Sequence, residues 1–154
     1  MNGIEVSLVS GEDLTSPMKL FEEVLRDGEP LSDEFVDRMR GAVEEGGLEV
    51  LAVISGGRTD GAAVIAYRLN VSAATDFASI EELHVRPGDR RQGIGGALLE
   101  AIEKRCGERC VSYVEVQTDD EAAEFYAALG YEEESDVRVF SKSLPIINEP
   151  NPET

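Results

Sequence analysis

Residues 84–96 read HVRPGDRRQGIGG, with three arginines followed by three glycines. Glycines at the join between a strand and a helix allow backbone N–H groups to converge on one point. The N-terminus of the helix adds partial positive charge there. Such a loop binds a phosphate or a diphosphate, and the arginines favour the same kind of ligand. The alternative is a tight turn in which the glycines only permit close packing.

Two common phosphate-binding loops fit this sequence poorly. A nucleoside-triphosphate loop requires Lys followed by Ser or Thr after its last glycine, whereas Gly96 is followed by Ala97. The dinucleotide pattern G-x-G-x-x-G fails at its third glycine, where Leu98 stands. Glu115 could imitate the ribose-binding acid of that pattern, but it falls inside a predicted strand. A chain of 154 residues also leaves little room for a substrate domain.

The elements that position this loop follow from hydrophobic periodicity and turn residues. A strand precedes the loop, and an amphipathic helix closed by Gly107 follows it. Ser32 is the predicted N-cap of an earlier helix that stops at Gly46, and Thr118 and Glu121 suggest a capping box for the last one. The pattern predicts an edge strand at 4–9, helices at 16–26 and 32–45, strands at 48–54, 62–69 and 78–85, a helix at 93–105, a strand at 111–116, a helix ending at Gly130 and a strand or hairpin arm at 131–144.

This element order predicts one α/β domain with a mixed sheet. Hairpins come first, and the strand-helix-strand unit from Ile80 to Val116 must then be a parallel crossover. We expect residues 1–144 to form a single domain and 145–154, with three prolines, to be a disordered tail.

Composition narrows the function classes. The longest apolar runs are too short for a membrane span, no leader segment is evident, and two cysteines make no disulfide framework, so a cytoplasmic protein is expected. A net charge of −18 argues against nucleic-acid and anionic-membrane partners. The acids are either an adaptation to salt or a field that attracts cationic substrates. One histidine and no cysteine cluster make a metal site implausible.

Residues 90–95, RRQGIG, match the Arg/Gln-x-x-Gly-x-Gly/Ala signature of the GNAT acetyltransferase superfamily. The preceding ELHV and the later AAEFYAALGY of residues 122–131 resemble further elements of that family. The resemblance is close over residues 79–144 and rests on element order before them. It implies a GNAT-like mixed, mostly antiparallel sheet with a central parallel strand-helix-strand crossover and helices on both faces.

The resemblance also implies acetyl-CoA as co-substrate and no metal. The coenzyme diphosphate would lie on the amides of residues 91–96. The pantetheine arm would pair with the backbone of residues 83–85, where two parallel strands splay apart. Asp119 stands where many relatives carry Asn. The cofactor-binding residues implied are Leu83, His84, Val85, Arg90, Arg91, Gln92, Gly93, Ile94, Gly95, Gly96, Asp119, Ala122 and Phe125.

Acetyl transfer to an amine requires a neutral amine, a polarised thioester carbonyl and a proton for the leaving sulfur. Strand alternation predicts Ile80, Glu82 and His84 on one face. Glu82 is therefore the first candidate for the base. Glu81 is the second, because a bulge would swap the faces, and a water relay is a third route. His84 could relay a proton or be a partly buried strand histidine.

Tyr126 is the candidate general acid, since a phenol is protonated at neutral pH and can donate to the leaving thiolate. It occupies the position of the general acid in similar enzymes. Phe125 is expected to be the packing aromatic of this helix. Cys106 and Cys110 are expected to be packing residues, because direct transfer in one cleft needs no covalent nucleophile.

The acceptor follows from the motif and the charge together. Asp119-Asp120-x-Ala122 resembles the aminoglycoside 3-N-acetyltransferase branch, whose polycationic substrates suit an acidic protein. We therefore predict an N-acetyltransferase that modifies a cationic small-molecule amine. A polyamine, an amino acid or a protein amine are alternative acceptors. A non-catalytic acyl-CoA-binding regulatory module and an acidic scaffold are alternatives of other classes, and the long last strand could pair across a homodimer.

Overall fold

The computed structural model describes residues 3–90 and 92–147, and the chain divides into two units, Met1–Thr118 and Asp119–Thr154. Arg91 and residues 148–154, the end of the predicted tail, lie outside the described residues. The first unit contains β1 (Ser7–Val9), α1 (Thr15–Leu25), α2 (Asp33–Glu45), β2 (Leu48–Ser55), β3 (Arg58–Asn70), β4 (Thr75–Val85), α3 (Ile94–Glu108) and β5 (Val114–Val116), with 3-10 turns at Gly11–Leu14 and Pro87–Asp89; the second contains α4 (Asp120–Ala128).

The strands of the first unit form one sheet in the order β1-β2-β3-β4-β5. Neighbours from β1 to β4 are antiparallel, and β4 pairs in parallel with β5. Because a parallel pair needs a crossover, α3 connects β4 to β5. The predicted α/β class, with a mostly antiparallel sheet and one parallel crossover, is confirmed.

One face of the sheet packs against α1 and α2. Residues opposite each other in adjacent antiparallel strands share a face, so the pairs of Val50 with Val64 and of Ala52 with Ala62 define it. These four side chains and the apolar side of α1 are removed from water, which is the main contribution to the stability of this layer. The cluster comprises Val9, Leu14, Met18, Leu20, Phe21, Val50, Ala52, Ala62 and Val64, with Val36, Met39 and Val43 of α2 packed against it.

The opposite face packs against α3. Its buried residues include Leu51 and Ala63 on the sheet and Leu98 and Ile102 on the helix. At Gly61 the two layers meet without an intervening side chain: a Cβ there would lie 2.6 Å from Cγ2 of Ile94 and 3.3 Å from Cδ1 of Leu98. Gly61 therefore sets the separation of α3 from β3.

A buried charge network holds the C-terminal end of α3 to this face. Glu49, 6% exposed, accepts hydrogen bonds from Tyr67 Oη (2.7 Å) and from Arg105 Nε (3.1 Å). Arg109 reaches the same carboxylate and stacks over the Tyr67 ring at 3.6 Å. Burial alone would raise the pKa of Glu49, but these donors outweigh it and lower the pKa.

The predicted helix and turn signals are largely confirmed. Ser32 caps α2, accepting a hydrogen bond from Phe35 N at 3.1 Å, and Gly46 ends that helix at φ 90°. The β2–β3 hairpin turns at Gly56 and Gly57, whose φ values of 58° and 80° favour glycine.

Several predicted boundaries are wrong. α3 continues through Gly107 to Glu108, and the left-handed residue that follows is Cys110 at φ 59°. Cys110 is exposed, so it is not a packing residue, whereas Cys106 is buried and its thiol pKa is raised by burial. Strands β1 and β5 are three residues each, shorter than predicted.

The predicted strand over residues 131–144 is also wrong. Residues 131–147 contain no regular element, and Val137, Val139 and Phe140 are exposed. β-propensity produces a strand only where a neighbouring strand completes the hydrogen bonds, and in the described part of the chain none pairs with this segment.

The close approach at Gly61 yields a stability prediction. Gly61→Ala should lower the free energy of unfolding by about 1–3 kcal/mol, because the branched Ile94 side chain cannot swing away from the added methyl group. Gly107→Ala is the matched control. It lies inside α3 with open space around it, so alanine should leave stability unchanged or raise it by up to about 1 kcal/mol. Urea denaturation of both variants measures this; an equal effect would contradict the packing role of Gly61.

Candidate active site

A bulge in β4 determines which carboxylates share a face. Val64 pairs with Glu82 and the next residue, Ile65, pairs with Ile80, so Glu81 is an extra residue without an opposite partner. Ile80 therefore faces α3, and Glu82 lies on the α1 side of the sheet. The prediction that Ile80 and Glu82 share a face is wrong, because the bulge shifts the alternation by one residue.

Glu82 and His84 lie beyond the bulge and do share a face. Oε1 of Glu82 and Nε2 of His84 are 2.7 Å apart. The imidazole ring also stands edge-on to Phe21 of α1, with centroids 6.1 Å apart. The side chains of Glu82 and His84 are 40% and 31% exposed, so the pair can exchange protons with solvent or with a bound molecule.

Glu81, the second candidate for the base, is engaged elsewhere. Its carboxylate accepts hydrogen bonds from Arg68 Nη2 at 2.7 Å and from Ser79 Oγ at 2.6 Å. These two contacts occupy the Glu81 carboxylate within the protein, so it is less available to a bound molecule. The geometry therefore favours Glu82 over Glu81.

Strand β4 extends beyond its parallel partner. Pairing with β5 covers only Ala78–Ile80, opposite Val114–Val116. Leu83 and Val85 therefore lie on a stretch of β4 with no strand partner on its β5 side among the described residues. The guanidinium of Arg90 approaches the Val85 carbonyl there, at 3.4 Å. The sequence predicts a splay between parallel strands at residues 83–85, and the role of this stretch in holding a pantetheine arm stays a prediction.

The N-terminus of α3 follows this opening and is uncapped. Gly93 is its N-cap at φ 84° with no side-chain hydrogen bond, and the first turn carries no acid. By contrast, α2 and α4 are capped by Ser32 and Asp119 and begin with acidic residues. Helix α1 also lacks a side-chain cap and a first-turn acid, but it continues directly from the 3-10 turn Gly11–Leu14. The first N–H groups of α3 therefore keep their hydrogen-bonding capacity and partial positive charge.

The predicted loop residues divide by exposure. Arg90, Gln92 and Gly93 are exposed, Gly95 and Gly96 are half-buried, and Ile94 is buried beneath the loop. A Cβ at Gly96 would meet no atom within 4 Å, so the helix start borders open space. Arg91, also predicted for this site, lies outside the described residues.

Arg86 does not belong to the predicted basic cluster. Its Nε and Nη2 donate to the carbonyl of Thr59 at 3.1 and 2.9 Å, and its Nη1 forms an ion pair with Glu23. Its charge is therefore used within the protein. Sequence reasoning missed Thr59, because a backbone carbonyl leaves no mark in the sequence.

A second group of residues at the β2–β3 hairpin supports the loop. Arg58 bridges Asp60 and Asp89, at 2.9 Å to each. Ser55 Oγ donates to Asp60 at 2.6 Å. Burial alone would raise the pKa of Asp60, but the hydrogen bonds from Ser55 and Arg58 outweigh it and lower the pKa. The hairpin sequence predicted only a turn here, although Arg58 and Asp60 could have indicated an ion pair.

In the second unit, α4 places the candidate acid. Tyr126 is 7% exposed and packs edge-on against Phe125 and Tyr131, with centroids 5.0 and 5.7 Å apart. Phe125 is half-buried, so the expectation that it is the main packing aromatic is wrong. Asp119 accepts a hydrogen bond from Ala122 N at 2.9 Å and is the N-cap, which replaces the predicted Thr118–Glu121 capping box.

Among residues 3–90 and 92–147, no group of three or more His, Cys, Asp or Glu side chains is arranged to hold a metal ion. Within the same ranges, no helix has the length and apolar character to span a membrane.

Comparison with known proteins identifies the family. The model of the acetyltransferase (GNAT) domain family matches residues 22–146. The chain belongs to the GNAT acetyltransferase family. The family description is that of an acetyltransferase domain, which favours an enzyme over a non-catalytic acyl-CoA-binding module or a scaffold.

Individual relatives agree with the family. Mycothiol acetyltransferase of Geodermatophilus obscurus is 39% identical over 80 residues, which are 52% of this GNAT chain and 24% of that protein. The chain thus spans about a quarter of the length of this curated relative.

Solved structures support the fold. An aminoglycoside acetyltransferase from an uncultured soil metagenomic sample, in complex with sisomicin, has a TM-score of 0.80 and 20% identity, covering 94% of this chain and 98% of that one. An acetyltransferase of Trypanosoma brucei has a TM-score of 0.78 and 21% identity, covering 92% and 99%. At such identities the likeness concerns the fold.

The described residues of this GNAT domain fit the diphosphate of a coenzyme. A diphosphate needs N–H donors and a path for close approach; the first turn of α3 offers the donors, and the open space at Gly96 offers the path. Asp89 is the acid of the loop, and it shares the Arg58 guanidinium with Asp60. The acid-free first turn of α3 and the exposed Arg90 supply the local attraction for an anion in a protein of net charge −18.

The lowered pKa of Asp60 gives a pH prediction for this GNAT domain. A carboxylate with a lowered folded-state pKa stabilises the fold fully above its unfolded pKa of about 3.9, and the effect is lost as pH falls through the folded value. Asp60→Asn should therefore cost about 1–3 kcal/mol at neutral pH and progressively less below about pH 4. Urea denaturation of both proteins across this range measures the difference; a constant difference would contradict the ion pair with Arg58.

Proposed function

We propose that this chain is an acetyl-CoA-dependent N-acetyltransferase that transfers the acetyl group directly to a primary amine of a cationic small molecule, such as an aminoglycoside. The observation that carries the proposal is the uncapped, acid-free N-terminus of α3 at the end of the strand that holds Glu82 and His84. The family match over residues 22–146 supports the further prediction that residues 1–144 form one acetyltransferase domain.

The coenzyme supplies an acetyl group activated as a thioester. In this proposal the N–H groups of residues 91–96 hold its diphosphate, and the backbone of Leu83 and Val85 pairs with its pantetheine arm. The open side of β4 and the exposure of Arg90 and Gln92 support this placement. Asp119, Ala122 and Phe125 remain proposed coenzyme contacts on the strength of the family motif.

Glu82 and His84 form the proposed route for the amine proton. An alkylammonium has a pKa of about 10, so a base must remove a proton before the nitrogen can attack. A carboxylate and an imidazole joined by a 2.7 Å hydrogen bond can pass such a proton between them and on to solvent. Tyr126 is the proposed acid, which gives its phenolic proton to the departing sulfur.

The charge on the α1 side supports a cationic acceptor. Residues 11–45, which contain both helices packed on the face of Glu82 and His84, hold eleven acidic and four basic residues. The sisomicin complex of the structural relative belongs to a protein with the same fold. Electrostatic attraction would raise the local concentration of a polyamine or an aminoglycoside above that of an anionic or zwitterionic amine.

Isosteric substitutions test the proposed chemistry. Glu82→Gln and Tyr126→Phe should each lower kcat on the order of 100-fold, because each removes one proton-transfer group and little volume. Glu81→Gln and Tyr131→Phe are the matched comparisons from neighbouring residues, and both should stay within a few-fold of wild type. Steady-state kinetics with acetyl-CoA measure the effects. A large loss for Glu81→Gln with little for Glu82→Gln would assign the base to Glu81 instead.

A panel of amines tests the acceptor class. Aminoglycosides and polyamines should gain one acetyl group in the presence of acetyl-CoA, as read by mass spectrometry. Their kcat/KM should fall as salt screens the acidic face, whereas reaction with a zwitterionic amino acid should depend little on salt. Acetylation of an amino acid, with aminoglycosides and polyamines unmodified, would overturn the cationic acceptor and leave the enzyme class intact.

A further inference from the structure

Arg86 connects three parts of the first unit near the start of the glycine-rich loop of residues 84–96, which is called the coenzyme loop below. Its guanidinium donates twice to the carbonyl of Thr59 on β3 and forms an ion pair with Glu23 on α1. Its own N–H donates to the carbonyl of Asp60 at 2.7 Å, and its carbonyl accepts from Asp89 N at 2.8 Å, which closes the 3-10 turn. The side chain is 16% exposed, so it is largely enclosed by these partners.

Helix α1 is fixed to the same region by a second contact. Ser16 Oγ lies 2.6 Å from Thr59 Oγ1, and Thr59 is 1% exposed. Further along α1, Phe21 contacts the ring of His84. One helix thus touches the hairpin that supports the coenzyme loop, the arginine that begins the loop and the proposed proton-relay residue.

We propose that Arg86 is a positioning residue that holds the β4–α3 loop in its diphosphate-binding conformation, with Glu23 of α1 keeping the guanidinium in place. This inference rests on the proposed function. If Arg86 instead turned towards a phosphate, it would give up two hydrogen bonds to the carbonyl of a buried residue and its ion pair. The Arg86 guanidinium therefore keeps its contacts within the protein. Arg90 and the first N–H groups of α3 are the groups that would contact the diphosphate.

Removal of the Glu23 charge distinguishes a positioning role of Arg86 from direct charge attraction, because the two predict opposite changes in the affinity for acetyl-CoA. Acetyl-CoA is a polyanion, so removal of an acidic residue should by charge alone leave its affinity unchanged or raise it. If Glu23 acts by holding Arg86, removal of its charge should lower the affinity. Glu44 is the matched control: it is exposed on α2, and its carboxylate forms no ion pair or hydrogen bond with a described residue.

Isothermal titration with acetyl-CoA tests the proposal on the wild-type chain, Arg86→Gln, Glu23→Gln, their double variant and Glu44→Gln. Arg86→Gln should weaken binding about tenfold and Glu23→Gln about threefold, since the Glu23 side chain is 52% exposed. The double variant should bind no more weakly than Arg86→Gln alone, because the two residues act through one interaction. Glu44→Gln should bind as tightly as wild type or slightly more tightly.

Kinetics add a second measurement. KM for acetyl-CoA should rise in Arg86→Gln while kcat stays within about twofold, because Arg86 contacts none of the reacting atoms. If Arg86→Gln does not fold, comparison of Glu23→Gln with Glu44→Gln still shows whether loss of the Glu23 charge weakens or strengthens acetyl-CoA binding. Tighter binding by Glu23→Gln, or additive losses in the double variant, would overturn this inference alone. Absence of acetyl-CoA binding by the wild-type protein would overturn the proposed function, and the inference with it.

Discussion

The structure depends on the close approach of α3 to β3 at Gly61. Because no side chain separates them, Ile94 lies directly on the sheet and the first turn of the helix begins beside the end of β4. Those first N–H groups are the ones that an α-helix cannot satisfy internally. A larger residue at position 61 would therefore move the proposed anion site as well as disturb the core. Because Gly61 has no side chain, it determines both the packing on one face of the sheet and the location of the proposed coenzyme loop.

The distribution of charge makes this site compatible with a net charge of −18. A polyanionic ligand is repelled by such a protein at long range, so attraction must be local. The described loop achieves this by leaving the first turn of α3 without acids and by pairing Asp89 with Arg58. Residues 11–45, which include α1 and α2 on the opposite face of the sheet from α3, hold eleven acids, and residues 119–136 of the second unit hold eight more. The same chain can therefore favour an anion at one place and a cation at another.

Local features were predictable from the sequence, and distant partners were not. The Ser32 cap, the Gly46 stop and the helix after the glycine loop each depend on residues within a few positions of one another. The bulge at Glu81 leaves no periodic signal, because it shifts the alternation by a single residue. The partners of Arg86 are 27 and 63 positions away, and one of them is a carbonyl. The strand over 131–144 was wrong for a related reason: its propensity is local, but its hydrogen bonds would have to come from elsewhere.

The bulge also determines which side of the sheet the proposed base faces. Glu81 and Glu82 have the same side chain and the same distance from the glycine loop along the sequence, to within one residue. Alternate residues of a strand are neighbours, so Glu81 contacts Ser79, and Glu82 contacts His84. Without the extra residue, the same alternation would place Glu82 and His84 on the α3 side of the sheet with Ile80, whereas the bulge brings them to the side of α1 and Phe21. The surroundings of the proposed base are therefore a property of strand register, which residue type alone does not determine.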